Sequence, residues 1–232
     1  MDWVWNHLGD IGGMTLDHIG LSVPPIVLGF LVSIPIGYWA SRSAVARSVL
    51  LTVGNILYTI PALALVVLVP VLLGLSLLNP LNVVAALTIY AVAIMVRSAA
   101  DAFAAVSTDV QQSATAQGYS STQRFFRVEL PLAGPVLLAG VRVVSVSTIS
   151  LVTVGALVGI PSLGSFFTDA FQRDFFLEAA VGFVLVLVLA AVFDLVLSFL
   201  GRLLMPWNRG ARLTAAVGRA LSQPQPTSGG LG

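Results

Sequence analysis

The chain has 232 residues, 57% hydrophobic and only 9% charged, with a net charge of +1 and a mean hydropathy of +0.98. A water-soluble domain carries roughly a quarter charged residues, so this composition excludes an ordinary soluble protein and makes lipid the main solvent. No cysteine is present, which excludes disulfides and thiolate chemistry, and no basic cluster points to nucleic acid.

The N-terminal segment 1–18 contains Asp2, Asp10 and Asp17 and no basic residue, which does not fit a cleavable signal peptide. The first apolar stretch is therefore expected to remain as a span. A spanning helix needs ~20 mainly apolar residues, and five stretches qualify: 19–40, 49–73, 81–103, 132–160 and 178–204. The fourth is longer than one span, and its 155–164 portion is expected to turn or re-enter near the membrane surface. Pro24, Pro25, Pro35 and Pro61 predict bends or local unwinding within the spans. The expected fold is an all-α integral membrane protein of about five transmembrane helices. One membrane domain covers 19–206, followed by a tail at 207–232.

Arginine placement predicts the orientation. Arg42 and Arg47 lie between spans one and two, Arg124 and Arg127 between three and four, and Arg202, Arg209, Arg212 and Arg219 at or after the end of span five. All fall on one side of an alternating topology, with Arg173 alone on the other. The positive-inside rule then makes 41–48, 104–130 and the C-terminus cytoplasmic, and the N-terminus external. In the tail, Leu213, Val217 and Leu221 recur every four residues, which fits either a short helix on the membrane surface or an extension of span five. From Ser222 onward the composition predicts disorder.

The 104–130 segment breaks the apolar pattern. Ala114 and Gly118 are small residues that would let another surface approach the backbone, and Gly118 tolerates the positive φ needed to end a helix and turn the chain. Phe125, Phe126 and Val128 would anchor the segment to the membrane, and Pro131 suits the first turn of the next helix. The picture is a short helix along the membrane, a turn, and a rigid re-entry into span four.

Gln112-Ser113-Ala114, then Gly118 after three residues, then Val128-x-Leu130-Pro131 after nine more, resembles the cytoplasmic loop of the permease subunits of bacterial ABC importers. That family's signature is Glu-Ala-Ala, three residues, Gly, nine residues, Ile-x-Leu-Pro. Both spacings are intact. The departures are Gln for Glu, Ser for the first Ala and Val for Ile, and the missing Glu puts one ionic contact to the ATPase in doubt. Glu178-Ala179-Ala180 has the same three opening letters, but it begins a span on the outer side and its next glycine is at the wrong distance.

The resemblance covers the chain from about Gly29 onward. Thr59-Ile60-Pro61-Ala62-Leu63-Ala64-Leu65, the run from Arg124 to Pro131, Ala139-Gly140-Val141-Arg142 and Gly155-Ala156-Leu157-Val158-Gly159 are similar to the osmoprotectant subgroup. That subgroup carries glycine betaine, choline, carnitine or proline betaine, and often has Gln where this chain has Tyr58. The resemblance implies a type I importer permease with a coupling helix, Gln112, Ser113, Ala114, Gly118, Tyr119, Leu130 and Pro131 serving ATPase coupling. It implies as partners a cytoplasmic ABC ATPase dimer, a second permease (identical or paralogous) and an external solute-binding protein, in a bacterial cell membrane. The chain itself is expected to be no enzyme and to hold no cofactor or metal: ATP and magnesium belong to the partner ATPase, and this sequence has no phosphate loop and no lysine. A five-span permease for methionine or another solute is the alternative within transporters. A membrane-embedded enzyme is the alternative outside them, with no convergent nucleophile, acid or metal group to support it.

Within the spans, ionisable residues are functional candidates because charge in lipid is costly. Arg97 and Asp101, one helical turn apart, predict a local i,i+4 pair. Arg142 and Asp194 could pair and brace spans four and five, or line the solute path. Tyr58, Pro61 and Tyr90 are candidates for the path, since an aromatic face attracts a quaternary ammonium. Trp3, Trp5, Trp39 and Trp207 are expected as interface anchors, and His7 and His18 as solvated external residues.

Overall fold

The computed structural model describes residues 2–207; the expectations placed on 208–232, including Arg209, Arg212 and Arg219, lie outside the described residues. Every regular element described is helical. In chain order they are α1 (Asp2–Asn6), α2 (Leu8–Ser41), α3 (Ala44–Thr59), α4 (Ala62–Leu73), α5 (Pro80–Ala104), α6 (Thr108–Ala116), α7 (Ser121–Arg124), a π-helical turn (Phe125–Glu129), α8 (Leu130–Val152), a 3₁₀ stretch (Thr153–Val158), α9 (Ser165–Arg173) and α10 (Phe176–Leu204).

Among the described residues four helical stretches are each long and apolar enough to cross a membrane, and α3 with α4 makes a fifth if that bent pair is one span. The first runs past its expected start: α2 has 34 residues, ~51 Å at 1.5 Å per residue. It stays helical through Pro24, Pro25 and Pro35, so none of these unwinds it. The second expected span is two helices bent by 100°. The break has a local cause. Pro61 drives the residue before it out of the helical region, and Ile60 is extended at φ −65°, ψ 129°, with Pro61 opening α4. In the fourth span, α8 tightens into the 3₁₀ stretch, Gly159 turns the chain at φ 84°, and α9 follows, packed against α10 and the 3₁₀ stretch.

The bundle is organised on α5, which packs against α2, α3, α4 and α8, while α10 lies outside on α8 and α9. The α2–α5 seam is made of small residues. A Cβ on Gly29 would collide with Ala91, one on Gly37 with Ala99, and between them the Ser33 hydroxyl donates to the Val92 carbonyl at 3.4 Å. Small residues every fourth position let two helix backbones approach where lipid offers no hydrophobic driving force. One apolar core lies towards the α6 end of the bundle, around Met95, Phe103, Leu137 and Val144. A second lies towards the α3–α4 break, around Leu65, Val69, Leu87 and Val152.

Candidate functional site

The short helix expected in the polar segment is α6. Ser107 caps its start, its hydroxyl oxygen accepting from the Asp109 amide at 3.2 Å. Its end is a Schellman motif: the Tyr119 amide donates to the Ala114 carbonyl at 3.1 Å and the Gly118 amide to Thr115 at 3.0 Å. That geometry needs a left-handed residue, and Gly118 supplies it at φ 85°. Gln112, Ser113 and Gly118 are exposed and Tyr119 is half-buried. Ala114 turns inward and is buried against its own chain, so it is not part of the surface open to a partner.

The chain then enters α7 through a capping box, the Ser120 hydroxyl accepting from the Gln123 amide and the Gln123 side chain accepting from the Ser120 amide. Pro131 does not stand at a free helix start. From Ser121 to Val152 the chain is one helical rod, with a π-helical turn immediately before α8. Proline lacks the amide that would bond four residues back, and the preceding Leu130 amide reaches the Phe125 carbonyl instead. Leu130 and Pro131 face an apolar groove between α2, α8 and α10.

At the base of this rod sits Glu129, 1% exposed. Two arginines hold it: Arg124 Nε donates to Oε1 at 2.7 Å, and Arg42 Nη2 donates to Oε2. Each arginine also reaches α6. Arg42 Nη1 donates to Gln111 Oε1 at 2.9 Å, and Arg124 Nη1 to the Thr115 hydroxyl at 3.0 Å. Arg42 further bonds the Tyr38 hydroxyl at 2.8 Å and lies over that ring, 4.6 Å from its centroid. Glu129 occupies the unspecified position of the Val128-x-Leu130-Pro131 motif, and sequence reasoning passed over it. The available signal was a carboxylate in an apolar run with arginines at 124 and 127.

A second site forms at the α3–α4 break. Tyr58, Thr59, Ile60 and Pro61 line one side of a hollow of about 440 Å³, and Tyr90 of α5 with Ser147 and Ser150 of α8 lines the other. Tyr58 and Tyr90 meet edge to face, ring centroids 5.9 Å apart. Tyr90 is 5% exposed and Tyr58 56%. The hollow has hydroxyls and π faces, and no residue lining it carries a formal charge at neutral pH.

The family described as "Binding-protein-dependent transport system inner membrane component" matches residues 29–210. The chain belongs to this family. It is 29% identical over 201 residues to the choline transport system permease protein OpuBB of Bacillus subtilis, covering 85% of this chain and 90% of that protein. To the glycine betaine/carnitine/choline transport system permease protein OpuCB of the same organism it is 26% identical over 209 residues, covering 89% and 94%. Among solved structures it shares its fold with the inward-facing MetNI methionine ABC transporter, at a TM-score of 0.70 and 20% identity over 87% of this chain and 97% of that one.

In this inner-membrane component the ionisable residues Arg142, Asp194, Arg97 and Asp101 each join two helices. Arg142 of α8 and Asp194 of α10 form two parallel hydrogen bonds, Nε to Oδ1 and Nη2 to Oδ2, both 2.6 Å. Arg97 and Asp101 do not pair with each other. Both project from α5 towards α3, where Arg97 donates to Asn55 Oδ1 at 3.4 Å and Asp101 accepts from Arg47. Partners on the facing helix displace the contact expected along one helix. The histidines also differ from expectation. His7 is half-buried and stacks on Trp3 at 4.5 Å, and Trp3 itself packs on Phe166 and Phe175. His18 is fully buried, its Nε2 donating to the Ile149 carbonyl at 2.9 Å. That carbonyl lies in the last turn of α8, where helix carbonyls lose their own amide partners.

Proposed function

We propose that this chain is the transmembrane subunit of an ATP-driven importer for quaternary ammonium solutes such as choline, glycine betaine or carnitine. The observation that carries this reading is the uncharged hollow where Tyr58, Pro61 and Tyr90 converge. A quaternary ammonium has no N–H to donate. It is held by π faces, weakly enough to be released. The permeases named for choline, glycine betaine and carnitine transport support the same solute class.

The face bearing α6 is read as cytoplasmic, since Arg42, Arg47, Arg124 and Arg127 all lie there. The N-terminus is then external and the C-terminus internal. The exposed side of α6, with Gln112 and Ser113, seats on a separate ABC ATPase dimer that binds ATP and magnesium. A second permease, identical or paralogous, completes the path, and an external binding protein delivers the solute. ATP moves the assembly by favouring one of two arrangements of rigid parts.

The test is uptake of labelled choline, glycine betaine, carnitine and methionine. Cells lacking their own uptake systems would express this chain with its neighbouring ATPase and receptor genes. ATP-dependent uptake of a quaternary ammonium solute supports the proposal. Uptake of methionine alone keeps the fold and overturns the solute class.

A further inference from the structure

We infer that Glu129 is a positioning residue for the ATP-driven movement. Through Arg42 and Arg124 it makes α6, the end of α2 and the start of α8 one rigid body. The inference rests on the reading that α6 seats on the ATPase.

Little else holds α6. It has nine residues, and isolated helices shorter than about 12–15 residues are marginal in water. At its far end the chain passes through Gly118, with open space where a side chain would stand. A glycine joint transmits direction poorly. Gln111 Nε2 donates to the Val106 carbonyl at the lead-in of α6 itself, and among the described residues the side-chain bonds that tie α6 to α2 and α7 are Arg42 to Gln111 and Arg124 to Thr115. Tyr38 also meets the Arg42 guanidinium, but Glu129 is the anion that holds both arginines at once. It touches neither Gln111 nor Thr115, so it acts on α6 only by fixing the arginines. Arg42 caps the end of α2, and Glu129 sits one residue before α8. A displacement of α6 therefore reaches both spans through one carboxylate. A purely stabilising role is the weaker explanation, because buried ion pairs add little over an apolar replacement.

The natural chain lacks cysteine, which allows spin labels at Val110→Cys on α6 and Val143→Cys on α8, both exposed positions. The distance between them is measured by electron–electron double resonance in the assembled complex, with and without ATP. The expected result is one narrow distribution in both states. Glu129→Gln should broaden it at least twofold while the ATPase still co-purifies, and Arg42→Gln should do the same should the first variant not assemble. An unchanged narrow distribution in either assembled variant overturns the inference. Ser113→Trp, on the exposed side of α6, separates the underlying reading. Loss of the ATPase from that variant supports the seating of α6, and its retention sinks that reading whatever Glu129→Gln does.

Discussion

Arg142 and Asp194 face each other across the α8–α10 seam with two parallel hydrogen bonds of 2.6 Å, the bidentate geometry a guanidinium makes with a carboxylate. In α10, whose surface is otherwise mostly apolar and exposed, this is a polar link to α8. Removing one partner leaves the other charged near lipid, so single variants are expected to be worse than the double. Arg142→Ala and Asp194→Ala should each lower the melting temperature in detergent by several degrees, and the double variant should recover part of that loss. Additive losses would show that the two residues act independently.

Gly37 and Ala99 meet where α2 and α5 are tightly apposed, a Cβ at Gly37 standing 2.4 Å from that of Ala99. A Cβ at Gly37 would also stand 2.8 Å from the Ala100 amide nitrogen, which belongs to a helix backbone and has no room to give. Gly37→Leu is expected to separate the helices, at a cost of ~1–3 kcal/mol or more, and should abolish monodisperse protein on size exclusion. Gly20, whose Cβ position meets no described residue outside its own helical turn within 4 Å, is the control. Gly20→Leu should behave as the natural chain.

The helical architecture was legible because apolar runs near 20 residues announce spans, and the Schellman turn at Gly118 because glycine is the residue that a left-handed C′ position favours. The break at Ile60 was legible as a place, since Pro61 marks it, but its 100° angle depends on how α4 packs under α5. What one chain could not display was partner choice. Asp101 has Arg97 one turn away in sequence and Arg47 opposite it in space, and the facing residue wins. His18 looked solvated beside Asp17. Yet in α2 neighbours point apart, Asp17 outward and His18 onto Ile149. Glu129 was hidden for the same reason, since nothing local to it names Arg42, 87 residues earlier.

Gly118 separates backbone strain from surface contact. Its φ of 85° costs an ordinary residue roughly 1–2 kcal/mol, but asparagine tolerates the left-handed region. Since no atom of the described residues meets a Cβ there, Gly118→Asn should keep uptake within about twofold and Gly118→Val should lose most of it. Equal loss in both would mean that a partner surface, and not the turn, excludes the side chain.

The tyrosine hollow makes the sharpest chemical prediction. Tyr90 is buried with its ring against Tyr58, and the aromatic face rather than the hydroxyl is what a trimethylammonium group would use. A cation–π contact of ~0.5–2 kcal/mol corresponds to roughly a 2- to 30-fold change in apparent affinity. Tyr90→Phe is therefore expected to transport choline with nearly unchanged half-saturation, and Tyr90→Leu to raise it within that range. Tyr58→Leu should have a smaller effect, because Tyr58 is more exposed. Excess 3,3-dimethylbutan-1-ol, which has choline's shape without its charge, distinguishes charge from size. If it slows choline uptake by the assembled importer as well as choline analogues do, the site selects a bulky apolar group, and the cation–π account fails.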